Sequence, residues 1–257
     1  MLAFILGTSD GKALLKELNK YTDDILLSTA TKYGGDILKD FKYKYLNTSP
    51  LNEIKLQELL KEKEVQALVD FSHPYAIEVS KNAMEACEKL KIEYIRFERK
   101  GVAEKYKDNS KVHLIKDLED LKELLENKKG NILNTMGSNN IGKLEGLNLS
   151  NRIIHRVLPT KEVIEKCNDF GVKLENIIAI KGPVSYDLNL AFLKNYNIEA
   201  MILKDSGESG ATEEKLKSAL DLNIHCYILE RKTLDYKKVF YSEKQILDYL
   251  LKGYLKR

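Results

Sequence analysis

Short apolar runs alternate with amphipathic stretches along nearly the whole chain, and few architectures accept that order. Leu2–Leu6 is apolar and stops at Gly7-Thr8-Ser9-Asp10-Gly11, after which Leu14, Leu15 and Leu18 recur at helical spacing. Ile25–Leu27, Tyr43–Leu46, Ala67–Val69 and Glu93–Phe97 read as further strands, with helical periodicity at Ile54–Leu60 and Ile77–Leu90 between them. The pattern pauses over the polar, aperiodic residues 99–111. It restarts with strands at Val112–Ile115, Ile132–Thr135, Arg152–Val157, Ile177–Ile180, Ala200–Leu203 and Ile224–Leu229. Strand–helix alternation of this kind argues for parallel sheets covered by helices on both faces. The expected fold is α/β, with two Rossmann-like, doubly wound parallel-sheet domains and a cleft between them. The expected domains are residues 1–98 and residues 99–257, the second carrying a last helix from Gln245 to Tyr254.

Composition excludes several alternatives. The chain's 257 residues suffice for two domains, and 42 Lys and Arg against 39 Asp and Glu are spread too evenly for a nucleic-acid arm or a membrane-surface helix. Cys87, Cys167 and Cys226 form no C-x-x-C pair, so neither a zinc site nor a redox motif is indicated; no metal is expected. No apolar run approaches the roughly 18–20 residues of a membrane span, and the short apolar opening lacks a basic leader. A cytoplasmic protein without membrane or nucleic-acid partners is the expectation.

Ligands of open parallel sheets bind beyond the carboxyl ends of the strands, so the residues directly after each strand are the candidates. Gly7, Thr8 and Ser9 offer small residues, hydroxyls and helix-opening N–H groups to a cofactor phosphate. Only half of a G-x-G-x-x-G is present, and an ordinary β–α turn is the competing reading. After the second strand, Ser28, Thr31 and Lys32 stand where an NAD enzyme carries an acid, and they suit a 2′-phosphate instead, although Lys32 also reads as a solvated charge. Ser72 and His73 follow the Ala67 strand; Ser72 is assigned to the cofactor and His73, of a residue type whose unperturbed value lies near neutrality, to proton transfer, a structural histidine being the competing reading. In the second half, Gly137, Ser138, Ser185, Ser206 and Gly207 lie in loops that follow strands; each loop reads by itself as a simple turn with a helix cap, and the three together read as the rim of a substrate site. Arg96, Arg99, Arg152, Arg156 and Lys204 sit near the same edges, and Arg forks pair well with carboxylates. Arg96 and Arg156 are assigned to an acidic substrate, and Lys204 joins His73 as a catalytic candidate.

Ser72-His73-Pro74-Tyr75-Ala76, Ser80-Lys81-Asn82-Ala83, Arg96-Phe97-Glu98-Arg99, Arg156-Val157-Leu158-Pro159, Gly182-Pro183-Val184-Ser185 and Lys204-Asp205-Ser206-Gly207, in this order, resemble the precorrin-6A reductase family, including its cobalt-precorrin-6A branch. The resemblance runs from Ile5 to Arg231. It implies an NADPH-dependent reductase, NADH remaining an alternative, that transfers hydride to the C18=C19 double bond of a polycarboxylate tetrapyrrole in cobalamin biosynthesis. The chain departs from the family pattern at Leu6-Gly7-Thr8, at Phe71-Ser72-His73-Pro74 and at Gly207-Glu208-Ser209-Gly210, keeping a hydroxyl or a small turn residue each time. Two other classes compete: a non-catalytic two-lobed binding module for an anionic metabolite or nucleotide, and a methyltransferase, for which no distinct loop is evident.

Overall fold

The computed structural model describes residues 1–7, 10–125, 129–207 and 210–255. The chain divides into two compact units, residues 1–99 with 232–257 and residues 100–231.

The first unit runs β1 (Leu2–Leu6), α1 (Lys12–Leu18), β2 (Ile25–Ser28), α2 (Lys32–Asp36), β3 (Tyr45–Asn47), α3 (Glu53–Glu62), β4 (Ala67–Phe71), α4 (Ile77–Leu90) and β5 (Glu93–Phe97). The second runs β6 (Val112–Ile115), α5 (Asp120–Leu125), β7 (Asn131–Asn134), α6 (Ile141–Gly146), β8 (Ile153–Val157), α7 (Lys161–Asp169), β9 (Ile177–Ala179), α8 (Tyr186–Asn195), β10 (Ile198–Lys204), α9 (Thr212–Asp221) and β11 (His225–Leu229). The chain then returns to the first unit through β12 (Val239–Phe240) and α10 (Glu243–Gly253).

Each unit holds one six-stranded sheet, ordered β12-β5-β4-β1-β2-β3 in the first and β6-β11-β10-β7-β8-β9 in the second. All pairings are parallel, as in β1 on β4, where Leu6 faces Phe71, and in β7 on β10, where Leu133 faces Met201. The expected two α/β parallel-sheet domains are what the chain forms.

The reason lies in side-chain alternation. Every residue of β1 is buried because successive side chains go to opposite, helix-covered faces. Leu2, Phe4 and Leu6 pack with Leu14, Leu15 and Leu18 of α1, whereas Ala3 and Ile5 pack with Leu56 and Leu60 of α3 and with Ala83 and Ala86 of α4.

The C-terminal boundary differs from the expected division at residue 98. The helix expected to end the second domain belongs to the first unit. Ile246 and Leu250, four residues apart and both fully buried, join the α1 face of the first sheet. Each removes a large aliphatic side chain from water, worth roughly 1.5–3 kcal/mol. β12 extends the same sheet, with Arg96 N–H donating to Lys238 C=O at 2.9 Å and Glu98 N–H to Phe240 C=O at 2.9 Å. α1 is only seven residues long, and α10 shares the cover of that face with it and with Leu38.

Within the second unit, one buried histidine sets a pH dependence. Asn134 Oδ1 accepts the Met136 N–H at 2.9 Å, which turns its Nδ2 toward His155 Nδ1 at 3.0 Å. His155 therefore carries its proton on Nε2 and donates it to Glu145 Oε1 at 2.7 Å. Burial holds the ring below its ordinary value of 6.5, although Glu145 pulls the other way. A second proton would also set Nδ1–H against the amide N–H. The unfolded chain thus protonates first, so stability is full above about pH 6.5 and falls as the pH drops below it. Denaturation midpoints measured between pH 7.5 and 5.5 fall for the native chain, and His155→Gln flattens that portion of the curve.

Candidate active site

Strand order reverses between β1 and β4 in the first unit and between β7 and β10 in the second. The crevices beyond the carboxyl ends of those strands are the ligand positions of such sheets. Larger cavities exist elsewhere, about 280 Å³ at the amino ends of β7, β10 and β11 and about 300 Å³ beside Glu93, Tyr94 and Lys238. Neither lies at a strand's carboxyl end.

In the first unit, Gly7 and Ser72 follow the paired strands β1 and β4 and flank the reversal. A Cβ on Gly7 would meet only the Phe71 carbonyl, at 3.8 Å, so the backbone there is open to a ligand. Thr8 and Ser9 lie outside the described residues. The helix start behind them is not open in the expected way. Glu243, at the head of α10, accepts the Gly11 N–H at 2.9 Å and the Leu14 N–H at 2.7 Å, supplying an anion from the far end of the chain. Gly11 has no side chain to cap α1, and Glu243 does that work. Asp10 forms an ion pair with Arg99, which thereby leaves the list of ligand-facing arginines.

Two hydroxyls assigned to the cofactor after β2 are engaged by the protein. Ser28 Oγ accepts from Asn47 Nδ2 at 3.0 Å, and Thr31 Oγ1 caps α2 by accepting the Gly34 N–H at 3.0 Å. Lys32 is exposed, and no carboxylate occurs from Ser28 to Lys32. With the open backbone at Gly7, these residues fit a nicotinamide dinucleotide at the reversal point.

Ser72 and Arg96, expected at the cofactor and the substrate, are buried and engaged by the protein's own groups. Arg96 is 1% exposed and among the largest fully buried side chains. Its Nη1 lies 3.1 Å from Asp70 Oδ2 and 3.0 Å from Ser72 Oγ, its Nε 3.3 Å from Glu98 Oε2, and its guanidinium 5.4 Å from the Tyr236 ring centre. Asp70 also accepts from Ser72 N–H at 2.7 Å, Ser80 Oγ at 2.6 Å and Tyr94 OH at 2.6 Å. Asp70 and Glu98 outweigh burial and hold the guanidinium's proton more firmly than usual. This polar knot shapes the turn that carries His73. The His73 ring is half-buried, with Nδ1 accepting the Tyr75 N–H at 3.3 Å, which leaves the Nε2 side as the proton-bearing one in the neutral ring.

In the second unit a cavity of about 190 Å³ opens at the carboxyl ends of β7, β8 and β9. Gly137, Arg156, Gly182, Pro183, Gly210 and Lys215 are among the residues that line it. Gly137 has φ +83°, and a Cβ there would meet no atom within 4 Å, so the turn needs glycine and faces open space. Arg156 is buried. Its Nη1 donates to Asn189 Oδ1 at 2.6 Å, and Asn189 is oriented by donating to the Val184 and Ser185 carbonyls at 3.1 and 2.8 Å. Burial without a carboxylate lowers the guanidinium to about 10. Lys215, from α9, donates to the Gly210 carbonyl at 2.8 Å, and burial together with the Arg156 charge pushes it down to about 7.

Lys204 ends β10 beside the reversal point, half-buried, and desolvation lowers it from the ordinary lysine value. The loop after it is locked by Asp205, whose carboxylate accepts the N–H groups of Val102, Ala103 and Gly207 at 2.9, 3.0 and 3.1 Å. Ser206 N–H donates to Thr212 Oγ1 at 3.1 Å, and Gly207 adopts φ +69°. Ser138 opens a short 3-10 turn beside the cavity. Ser185 caps α8, accepting the Leu188 N–H at 3.3 Å. Arg152 is bonded to Asn176 and Glu175 at the opposite, amino end of β8.

Asp70, Glu243, Asn189 and Lys215 are the residues that sequence reasoning missed. Lys215 sits in Thr212-Glu213-Glu214-Lys215-Leu216-Lys217, which reads as a solvated helix face. Asp70 alone left a signal, as an acid within an otherwise apolar strand.

Comparison with known proteins places the chain in one family. The family model described as Precorrin-6x reductase CbiJ/CobK matches residues 2–251. This chain belongs to the precorrin-6x reductase family. It is similar to the cobalt-precorrin-6A reductase of Methanocaldococcus jannaschii, 34% identical over 95% of each chain, and to that of Priestia megaterium, 32% identical over 98% of each. The fold matches a solved CobK precorrin-6A reductase with a TM-score of 0.80 over 99% of this chain and 98% of that one, at 17% identity. Membership makes the chain an oxidoreductase of cobalamin biosynthesis that acts on a macrocycle double bond, which implies a nicotinamide cofactor. Among the described residues, no helix is long and apolar enough to cross a membrane and no cluster of three or more metal-binding side chains occurs.

Proposed function

We propose that the chain reduces cobalt-precorrin-6A to cobalt-precorrin-6B with NADPH, by hydride transfer to the C18=C19 bond. The family match over residues 2–251, with cobalt-precorrin-6A reductases above 30% identity at nearly full length, carries this reading. A reduced nicotinamide supplies the hydride; the chain supplies binding, orientation and one proton.

The crevice at Gly7 and Lys32 holds the dinucleotide. Exposed Lys32, with no acid from residue 28 to 32, favours a 2′-phosphate over a bare ribose diol. Arg156 and Gly137 receive an acidic arm of the macrocycle, with Ser138, Ser206 and Gly207 on neighbouring turns. A cavity of about 190 Å³ takes such an arm and not the ring, since whole-ligand sites run to roughly 300–1,000 Å³. Lys204 delivers the proton: desolvation moves its ammonium toward neutrality, where donation is easier. His73 is the second donor candidate, through Nε2. The buried thiols Cys87, Cys167 and Cys226 accord with a reducing cytoplasm.

An anaerobic assay with NADPH or NADH against cobalt-precorrin-6A and precorrin-6A tests the reading. Nicotinamide oxidation appears only with tetrapyrrole present, fastest with NADPH and the cobalt form. Binding of both ligands without turnover would make the chain a carrier instead.

A further inference from the structure

Among the described residues that line the 190 Å³ cavity, Arg156 and Lys215 are cations and none is an acid. Arg156 and Lys215 are 9% and 8% exposed, and neither forms an ion pair among the described residues. Burying one charged group without a partner is costly, and setting two like charges together adds to that. Their hydrogen bonds go to neutral oxygens, Asn189 Oδ1 and the Gly210 carbonyl, which hold the side chains in place and leave the charge unbalanced. The charged groups facing Lys215 are Arg156 from β8, Asp205 from the loop after β10 and Glu214 on its own helix. The Asp205 carboxylate is already spent on three backbone N–H groups.

We propose that Arg156 and Lys215 together form a receptor for one carboxylate or phosphate group, and that Lys215 takes on a proton from solvent as that anion enters. The proposal rests on reading this crevice as the acid-receiving end of the reductase, and it adds a residue and a proton to that reading. In the empty cavity the low affinity of Lys215 for its proton relieves the repulsion from Arg156. An entering anion cancels the Arg156 field and pairs with the ammonium, so the proton returns. The cavity thus holds one cation before the anion enters and two cations sharing the anion afterwards. The anion comes either from a carboxylate arm of the tetrapyrrole or from a phosphate of the nucleotide; the chemistry is the same.

Calorimetric titration of the full chain with sulfate, which carries no proton in this range, provides the test. Performed at pH 8 in two buffers of different ionisation heat, it yields an uptake approaching about one proton per sulfate bound. Lys215→Met weakens sulfate binding by roughly tenfold or more and abolishes the uptake. Lys215→Arg keeps the affinity but also loses the uptake, because its guanidinium stays charged; this variant decides the matter if the methionine variant does not fold. Sulfate binding unchanged in Lys215→Met, or uptake persisting in Lys215→Arg, overturns the proposal. Competition identifies the source: sulfate weakening tetrapyrrole binding, followed by its absorption spectrum, assigns the cavity to a carboxylate arm. Sulfate weakening NADPH binding, followed by fluorescence, assigns it to a phosphate, and competition with neither overturns the proposal. None of these measurements requires turnover, so a failure of the reductase reading appears separately, in the anaerobic assay.

Discussion

Replacing Arg96 by methionine lowers the unfolding free energy by about 3–5 kcal/mol, read from urea denaturation at pH 7.5. The size follows from what the substitution leaves behind. Asp70 is fully buried, and Arg96 is its cationic partner at 3.1 Å. Without the guanidinium, Asp70 keeps its hydrogen bonds from Ser72, Ser80 and Tyr94 but remains a charge with no counter-charge. Glu98 and the face of Tyr236 lose the same partner. Asp70→Asn combined with Arg96→Met recovers a good part of the loss, since the stranded charge is then gone. A loss below about 1 kcal/mol for the single substitution would return Arg96 to the group of exposed, ligand-facing arginines.

Lys204→Met reduces kcat by roughly 10²–10³, within the range of general-acid catalysis, while KM changes little. The neutral side chain fills the space and removes the proton. Because desolvation lowers Lys204, the alkaline limb of the native rate profile falls at lower pH than an ordinary lysine's 10.5. Activity is therefore highest while the ammonium is intact and declines as the pH rises through that lowered value. Lys204→Arg moves the limb to higher pH. An unchanged kcat in Lys204→Met transfers the donor role to His73, and His73→Gln then shows the loss.

Much of the fold was legible because a parallel sheet buried on both faces writes itself into local sequence. The runs at Leu2–Leu6 and Ala67–Val69 are continuous and apolar, and the helices between them carry their own periodicity. β12 was not legible: Val239-Phe240 is two residues long, too short for any periodic signal. The return of residues 232–257 to the first unit depends on an uncovered sheet face, a property of the assembled sheet rather than of any segment.

The candidate residues divide along the same line. Gly7, Gly137, Arg156 and Lys204 were legible as candidates because strand ends are ligand positions in this fold class. Ser28, Thr31, Ser72 and Ser185 also follow strands, yet Asn47, Gly34, Arg96 and Leu188 engage their hydroxyls. A hydroxyl near a helix start reads identically whether it meets a ligand or a backbone N–H.

By itself, then, the sequence determined the fold class, the strand edges where chemistry belongs and, through its ordered motifs, the family. Those are set by contacts between near neighbours and by residue types. The tertiary structure alone decided which cations are available. Arg96 is neutralised because Asp70 and Glu98 converge on it from its own sheet, whereas Arg156 and Lys215 share a cavity in which neither has an ion-pair partner among the described residues. Charge balance is a property of what surrounds a side chain in three dimensions, and no spacing along the chain records it.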